Sequence, residues 1–185
     1  MIFGSHTGDD TPRAERAFGA VDLLQLILQG MRPALGFDLA VAVLCEDGRH
    51  VVPVYATGSL SPSVVEGVHV QALHAFIELA GADHATWPSD EPVVIRLGAA
   101  HSRAIDEPES YEDAPLVVGG AVTGMLRISG ASFTREHRAI YFAMASDVSS
   151  AIERLDAQRS KTRLVQERLL QSEKMSSCQP AAAKR

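Results

Sequence analysis

Cysteine is scarce in this sequence, no long apolar run occurs, and basic residues form no block before the C-terminal helix. Each shortage removes a class of function. Two cysteines, Cys45 and Cys178, build neither a disulfide framework nor a cysteine metal cluster. The longest apolar stretch, "LAVAVL", is a strand's length, so no membrane insertion is expected. A net charge of −6 and a pI near 5.6 give nucleic-acid binding little electrostatic footing. The opening "MIFGSHTGDDTPRAER" lacks the basic start and apolar stretch of a secretory signal, and the expected location is the cytoplasm. What is present is a 46% apolar share in 185 residues, enough for one domain of ordinary core size plus an extended element.

Residues 1–12 are polar and rich in Gly, Ser, Asp and Thr, and poor order is expected there. Thr11 and Pro12 suit the cap and first position of a helix. Val21, Leu24, Leu28, Met31 and Leu35 then recur at three- and four-residue spacing, and "GMRPALG" ends the stripe. "FDLAVAVLCEDGRHVVPVYATG" reads as two short strands around a tight Asp47-Gly48 turn. Helical spacing returns over residues 63–80 through Val65, Val68, Ala72, Phe76 and Leu79. "GADHATWPSDEP" reads as loop, "VVIRL" as a strand, and "GAAHSRAIDEPESYEDA" as a second, longer connection.

"PLVVGGAVTGMLRIS" is a hairpin whose Gly119-Gly120 pair supplies what a primed turn needs. From Phe133 to Met175 there is neither Pro nor Gly; Ser132 or Thr134 offers a cap, with Glu136 or His137 a turn later. A continuous helix there spans roughly 60 Å at ~1.5 Å per residue, about twice a small domain's width. Because hairpins join neighbouring strands directly, the expected fold is α+β with an antiparallel sheet.

The order of these elements, and the residues near its end, resemble a GAF domain, the small sensory module of signalling proteins. The similarity is carried by Ala114-Pro115-Leu116, by Val122 to Leu126 around Gly124, by Phe133, and by Ala145 through Ala151-Ile152-Glu153. "LGFDLAVAVLCEDGRHVVPVYATG" fits the family's first two strands, and the whole resemblance covers about residues 17–155. It implies an antiparallel central sheet of about five or six strands with helices on both faces, which accounts for the lack of polar alternation in "LAVAVL" and "PLVV". Gly124 in mid-strand would weaken a sheet unless something approaches closely there. The competing reading is an unrelated α+β domain with two hairpins.

The segment "LLQSEKMSS" is similar to the lead-in to the dimerisation helix of sensor histidine kinases. After Ser177 the chain departs from that pattern: "CQPAAAKR" has no phospho-accepting His, and Pro180 breaks a helix. The expectation is an isolated sensor region without kinase activity of its own, truncated before the phospho-acceptor helix. Its parts would be a sensor domain at 13–155, a helical linker at 156–177 and a foreign-looking tail at 178–185. Along the long helix Tyr141, Ala145, Val148, Ile152 and Leu155 keep heptad-like spacing, and the seam then thins through Gln158, Thr162, Val165, Leu169 and Ser172. Val148, Ile152, Leu155, Thr162, Val165 and Leu169 are the candidate residues of a parallel homodimeric signalling helix, with a downstream kinase domain as partner. A merely solvated helix is the alternative, and the Val21–Leu35 stripe could join the bundle or serve the domain's own core.

Chemistry is sparse. The seven histidines lack ligand spacing with one another or with a cysteine, so no metal site is expected. Cys45 reads as a small buried hydrophobe, and Ser102 beside His101 makes no triad. The methionine-sulfoxide-reducing, bilin-binding and cyclic-nucleotide-binding members of the family have motifs that are absent here; haem is permitted, but no residue singles it out, so no cofactor is assigned. The resemblance places a ligand between the sheet and the helix and loops of residues 63–113. His74, Trp87, Arg96, His101 and Tyr111 are the candidates for a small-molecule ligand, with Arg127 on the last strand. Arg127 points away from the face of Leu126 and Ile128 and requires an anion, either an acid of "DEPESYED" or a ligand. Two functions follow: a regulatory sensor, or a dimerisation scaffold with no ligand.

Overall fold

The computed structural model describes residues 19–46, 48–86, 88–98, 103–129 and 133–177, with side chains through residue 172. Helix α1 (Ala20–Leu35) turns Leu24, Leu28 and Leu35 to one buried face. The Gly19 N–H donates to Asp22 at its start, and Gly36 closes its end by donating to the Arg32 carbonyl. Strands β1 (Leu39–Glu46), β2 (Arg49–Val51) and β3 (Pro53–Ala56) follow, then helix α2 (Pro62–Ala80) and a 3-10 turn (Ala82–Thr86). Strand β4 (Val93–Arg96), the hairpin of β5 (Tyr111–Val118) and β6 (Ala121–Ser129), and helix α3 (Arg135–Ser177) complete the chain. Ser61 caps α2, accepting from the Val64 N–H at 3.3 Å, with Pro62 just inside the helix. The 3-10 turn falls in a segment expected to be loop; one short turn has no apolar period to betray it.

The sheet has six strands in the order β4-β3-β1-β6-β5, with β2 pairing the far end of β1. It is antiparallel except for β3 and β4, which run parallel, Pro53 opposite Val93 through Ala56 opposite Arg96. That pair is the one exception among the named strands to the antiparallel sheet expected. Its cause is α2, which crosses between the two strands and returns the chain to the same end of the sheet. In the β5–β6 hairpin both turn glycines have left-handed backbones, Gly119 at φ 58° and Gly120 at φ 82°, as a two-residue primed turn demands. Asp47 of the first expected turn lies outside the described residues, as do Thr11, Pro12, Ser132 and the 1–12 and 178–185 segments.

Helices cover both faces. On one, Val68, Ala72 and Phe76 of α2 pack on Leu39, Val41, Val43, Val54 and Met125. On the other, Leu24 and Leu28 of α1 and Tyr141, Ala145 and Val148 of α3 pack on Ala40, Ala42, Tyr55, Leu126 and Ile128. Strand β1 is therefore buried on both sides from Leu39 to Leu44, the physical reason its sequence does not alternate. The α1 stripe is spent within this core. Gly124 pairs with Leu44, and a Cβ added to it would lie 2.6 Å from the Val43 carbonyl oxygen, so the close approach comes from the neighbouring strand.

The start of α3 is tied to the β5–β6 hairpin by polar contacts. Thr134 caps it, accepting from the His137 N–H at 3.2 Å while the His137 ring accepts from the Thr134 N–H. Tyr141, fully buried, donates its hydroxyl to the Leu126 and Glu112 carbonyls, and Arg138 pairs with Glu112 at 2.6 Å. Between Leu116 and Val117 the β5–β6 register slips past Thr123, and the Val117 N–H is taken up by the buried Ser149 hydroxyl at 3.0 Å. From Asp156 to Ser172 every residue of α3 is exposed.

Candidate functional site

Of the six candidate ligand residues, Trp87 and His101 lie outside the described residues. The structure brings two of the others together. Arg127 projects from β6 on the α2 side and is 8% exposed. Its guanidinium donates to both carboxylate oxygens of Asp113 on β5, at 2.6 and 2.7 Å, and lies 4.7 Å over the Tyr111 ring. Burial alone would lower the arginine's pKa, but the hydrogen bonds and charge of Asp113 outweigh it and hold the cation firmly. The anion that Arg127 requires is thus an acid of "YED". The Tyr111 hydroxyl is buried and has no hydrogen-bond partner among the described residues; burial raises its pKa, against the pull of Arg127. His74 stands exposed on the outer side of α2 and Arg96 exposed on the sheet's edge strand, so neither joins this group.

A cleft of about 390 Å³ lies between the α1–β1 corner and residues 103–110. Gly36, Asp38, Arg103, Asp106, Glu109 and Ser129 give it a polar, mixed-charge lining. Its walls are pinned: the Ser59 N–H donates to Arg103 O and the Ile105 N–H to Ser59 O, and Asp38 accepts from the Thr57 hydroxyl at 3.0 Å. None of the four described candidates lines it. It belongs to the region expected to hold a ligand only through its 103–110 wall.

A third group was invisible to spacing rules. Cys45 and His50 face each other across the β1–β2 pair, and His84 comes over them from the 3-10 turn. One ligand-capable atom from each lies within 4.8 Å of the other two, and Cys45 Sγ is 3.8 Å from His84 Nδ1. The absence of a ligand spacing therefore did not exclude a set of metal-ligating atoms, because three separate elements supply them. The only local signal was that Cys45 and His50 flank a tight turn at equal distance. The Phe76 ring of α2 meets both imidazoles in T-shaped contacts, with centroids 5.4 Å from His50 and 5.2 Å from His84. Burial pushes the Cys45 thiol up to about 11, and lowers His50 with help from the nearby His84. Beside the histidines opens a cleft of about 250 Å³ lined by Val70, Leu73, His74, Ile77 and Ser89.

A six-stranded sheet with helices on both faces, left by a long C-terminal helix, defines a small α+β module. The GAF domain family profile matches residues 20–152, and the chain belongs to that family. GAF domains are regulatory sensor domains, generally non-catalytic, and they commonly dimerise and bind small ligands. No curated protein matches the chain. Among the described residues no helix is long and apolar enough to cross a membrane.

Proposed function

We propose that this GAF domain is the sensor of a signal-transduction protein and passes ligand or partner state through α3 to an output. The observation that carries the reading is the division of α3 into an anchored and a projecting half. Tyr141, Ser149, Ala145, Val148 and Ile152 fix the first half to the sheet; from Asp156 to Ser172 every residue is exposed, and Leu164, Val165, Leu169 and Leu170 are each more than half exposed. Val148 and Ile152, expected in the dimer seam, are spent in the chain's own core; Val165 and Leu169 lie further along the helix, where a second copy placed in parallel covers them. The seam's polar members do not oppose this. Thr162 donates back to the Gln158 carbonyl and Ser172 to that of Leu169, so a partner helix meets satisfied hydroxyls. A weak seam suits a connector that shifts between two arrangements. The "LLQSEKMSS" junction supports a histidine kinase as the output, with 13–155 as sensor and 156–177 as linker.

On the input side, the buried Tyr111 hydroxyl and the adjoining Arg127 supply a donor and a cation facing α2, and a ligand reaching them competes with Asp113. One observation favours the scaffold reading instead: Asp113 already satisfies both arms of the Arg127 fork. One measurement tests the dimer that both readings need, and a second separates them. Light scattering should give twice the 19.8 kDa chain mass at micromolar concentration, falling to one chain when Val165 and Leu169 are both changed to Glu. A single-chain mass for the unaltered protein removes the relay. A ligand at a hundred times its Kd adds about 2.7 kcal/mol of stability, and a panel of nucleotides, haem and carboxylates without any thermal shift favours the scaffold.

A further inference from the structure

We propose that Cys45, His50 and His84 hold a zinc-class divalent ion, with a fourth coordination position open to the cleft beside His74. This inference stands apart from the relay and needs neither a dimer nor a kinase. Three observations carry it: the donor set, the distances and the rigidity of the frame.

One thiolate and two imidazoles are the soft and borderline donors that Zn²⁺ prefers over oxygen-rich sites. Tetrahedral Zn²⁺, with Zn–S ~2.3 Å and Zn–N ~2.0–2.1 Å, sets sulfur and nitrogen about 3.6 Å apart and two nitrogens about 3.4 Å apart. The Cys45 Sγ to His84 Nδ1 separation of 3.8 Å is close to that edge, and all three atoms fall within 4.8 Å of one another. A weak thiol–imidazole contact accounts for the 3.8 Å alone. The hairpin register and the packing of Phe76 bring the second imidazole to the same pair, so that three ligand-capable atoms share one space.

The frame is built to hold them. Cys45 and His50 are directly paired strand residues. The His50 backbone is fastened on both sides, its N–H donating to Pro88 O and its carbonyl accepting from the Asp90 N–H, each at 2.9 Å. His84 is seated by its N–H on the Gly81 carbonyl, and Phe76 buttresses both rings. Closing the set to bonding distance takes shifts of about 1 Å or less, within the reach of side-chain rotation. On binding, the Cys45 S–H proton leaves to solvent and the sulfur lone pair goes to the ion, so affinity falls with acid. Three protein ligands leave one position, and the cleft of Val70, Leu73, His74, Ile77 and Ser89 brings water or a small donor ligand to it. The ion joins the β1–β2 hairpin to the turn after α2.

The test uses Co²⁺ as a visible stand-in for Zn²⁺ on the chelator-treated, reduced full chain. One equivalent of Co²⁺ should produce a thiolate-to-cobalt charge-transfer band in the near ultraviolet, abolished by one equivalent of Zn²⁺. Cys45→Ser should remove the band, His84→Ala should weaken Co²⁺ binding by roughly 100-fold or more, and Cys178→Ser should leave both unchanged. Circular dichroism confirms that each variant is folded; should Cys45→Ser fail to fold, the His84→Ala titration decides. Absence of a charge-transfer band in the unaltered chain overturns the proposal. So does a band that follows Cys178, or one indifferent to His84.

Discussion

Removing Asp113 should strand a charge, and the size of the penalty follows from the surroundings of Arg127. Deleting one partner of a buried ion pair costs ~3–5 kcal/mol, because the remaining charge loses both its counterion and its water. Two features lower that figure here. The Asp113 side chain is 30% exposed, so water enters the space an alanine leaves. The Tyr111 ring still lies 4.7 Å from the guanidinium and contributes ~1 kcal/mol as a cation–π contact. We therefore expect Asp113→Ala to cost about 2–3 kcal/mol, a Tm drop of roughly 5–10 °C for a chain of this size. Arg127→Met removes the buried charge and leaves a partly exposed carboxylate that water can serve, for about 1 kcal/mol. The double variant Asp113→Leu/Arg127→Met should return to within about 1 kcal/mol of the parent, since an apolar pair of similar volume replaces the ionic one. Urea unfolding of the four proteins measures these differences. If Asp113→Ala costs no more than Arg127→Met, the guanidinium is solvated and the reasoning fails. The same variant bears on ligand binding: a carboxylate or phosphate that displaces Asp113 should bind Asp113→Ala more tightly than the parent.

Two other outcomes follow from single features. Gly124→Ala drives a Cβ to 2.6 Å from the Val43 carbonyl oxygen and should cost ~1–3 kcal/mol, whereas Gly30→Ala, on the exposed side of α1 with nothing near its new Cβ, should add ~0.5–1 kcal/mol; equal effects in thermal melts would refute the close-approach argument. All three tyrosines, Tyr55, Tyr111 and Tyr141, have phenol pKa values raised first by burial. The unfolded chain then releases these protons first, near pH 10, so stability is complete below that value and falls as pH rises toward the folded pKa values. Tyrosinate absorbance of the native protein should lag well behind that of the urea-unfolded protein at pH 10; coincident titrations would show the rings to be solvated.

The fold was legible because several local rules pointed the same way, while the candidate site depends on where separate elements meet. Gly119-Gly120 and Thr134 with His137 carry their turn and cap chemistry within four residues, and the structure uses both as read; the Ser61-Pro62 start of α2 carries the same kind of local signal but was not read from the sequence. The unbroken apolar run of β1 announced burial on both faces. The parallel β3–β4 pair was missed because a strand's direction depends on the crossover before it, and Val93–Arg96 reads the same either way. Arg127 could be assigned a face from alternation, and its need for an acid was evident, but choosing Asp113 among the many carboxylates nearby needed the β5–β6 register that sets the two opposite each other. Convergence of Cys45, His50 and His84 is harder still. The first two are joined by a hairpin register; the third arrives only because α2 packs Phe76 into the sheet and its C-terminal turn folds back over the β1–β2 end. Sequence spacing detects ligand sets built on one helix or one loop. It is blind to a set assembled by a strand pair and a crossover, where proximity is a consequence of the core.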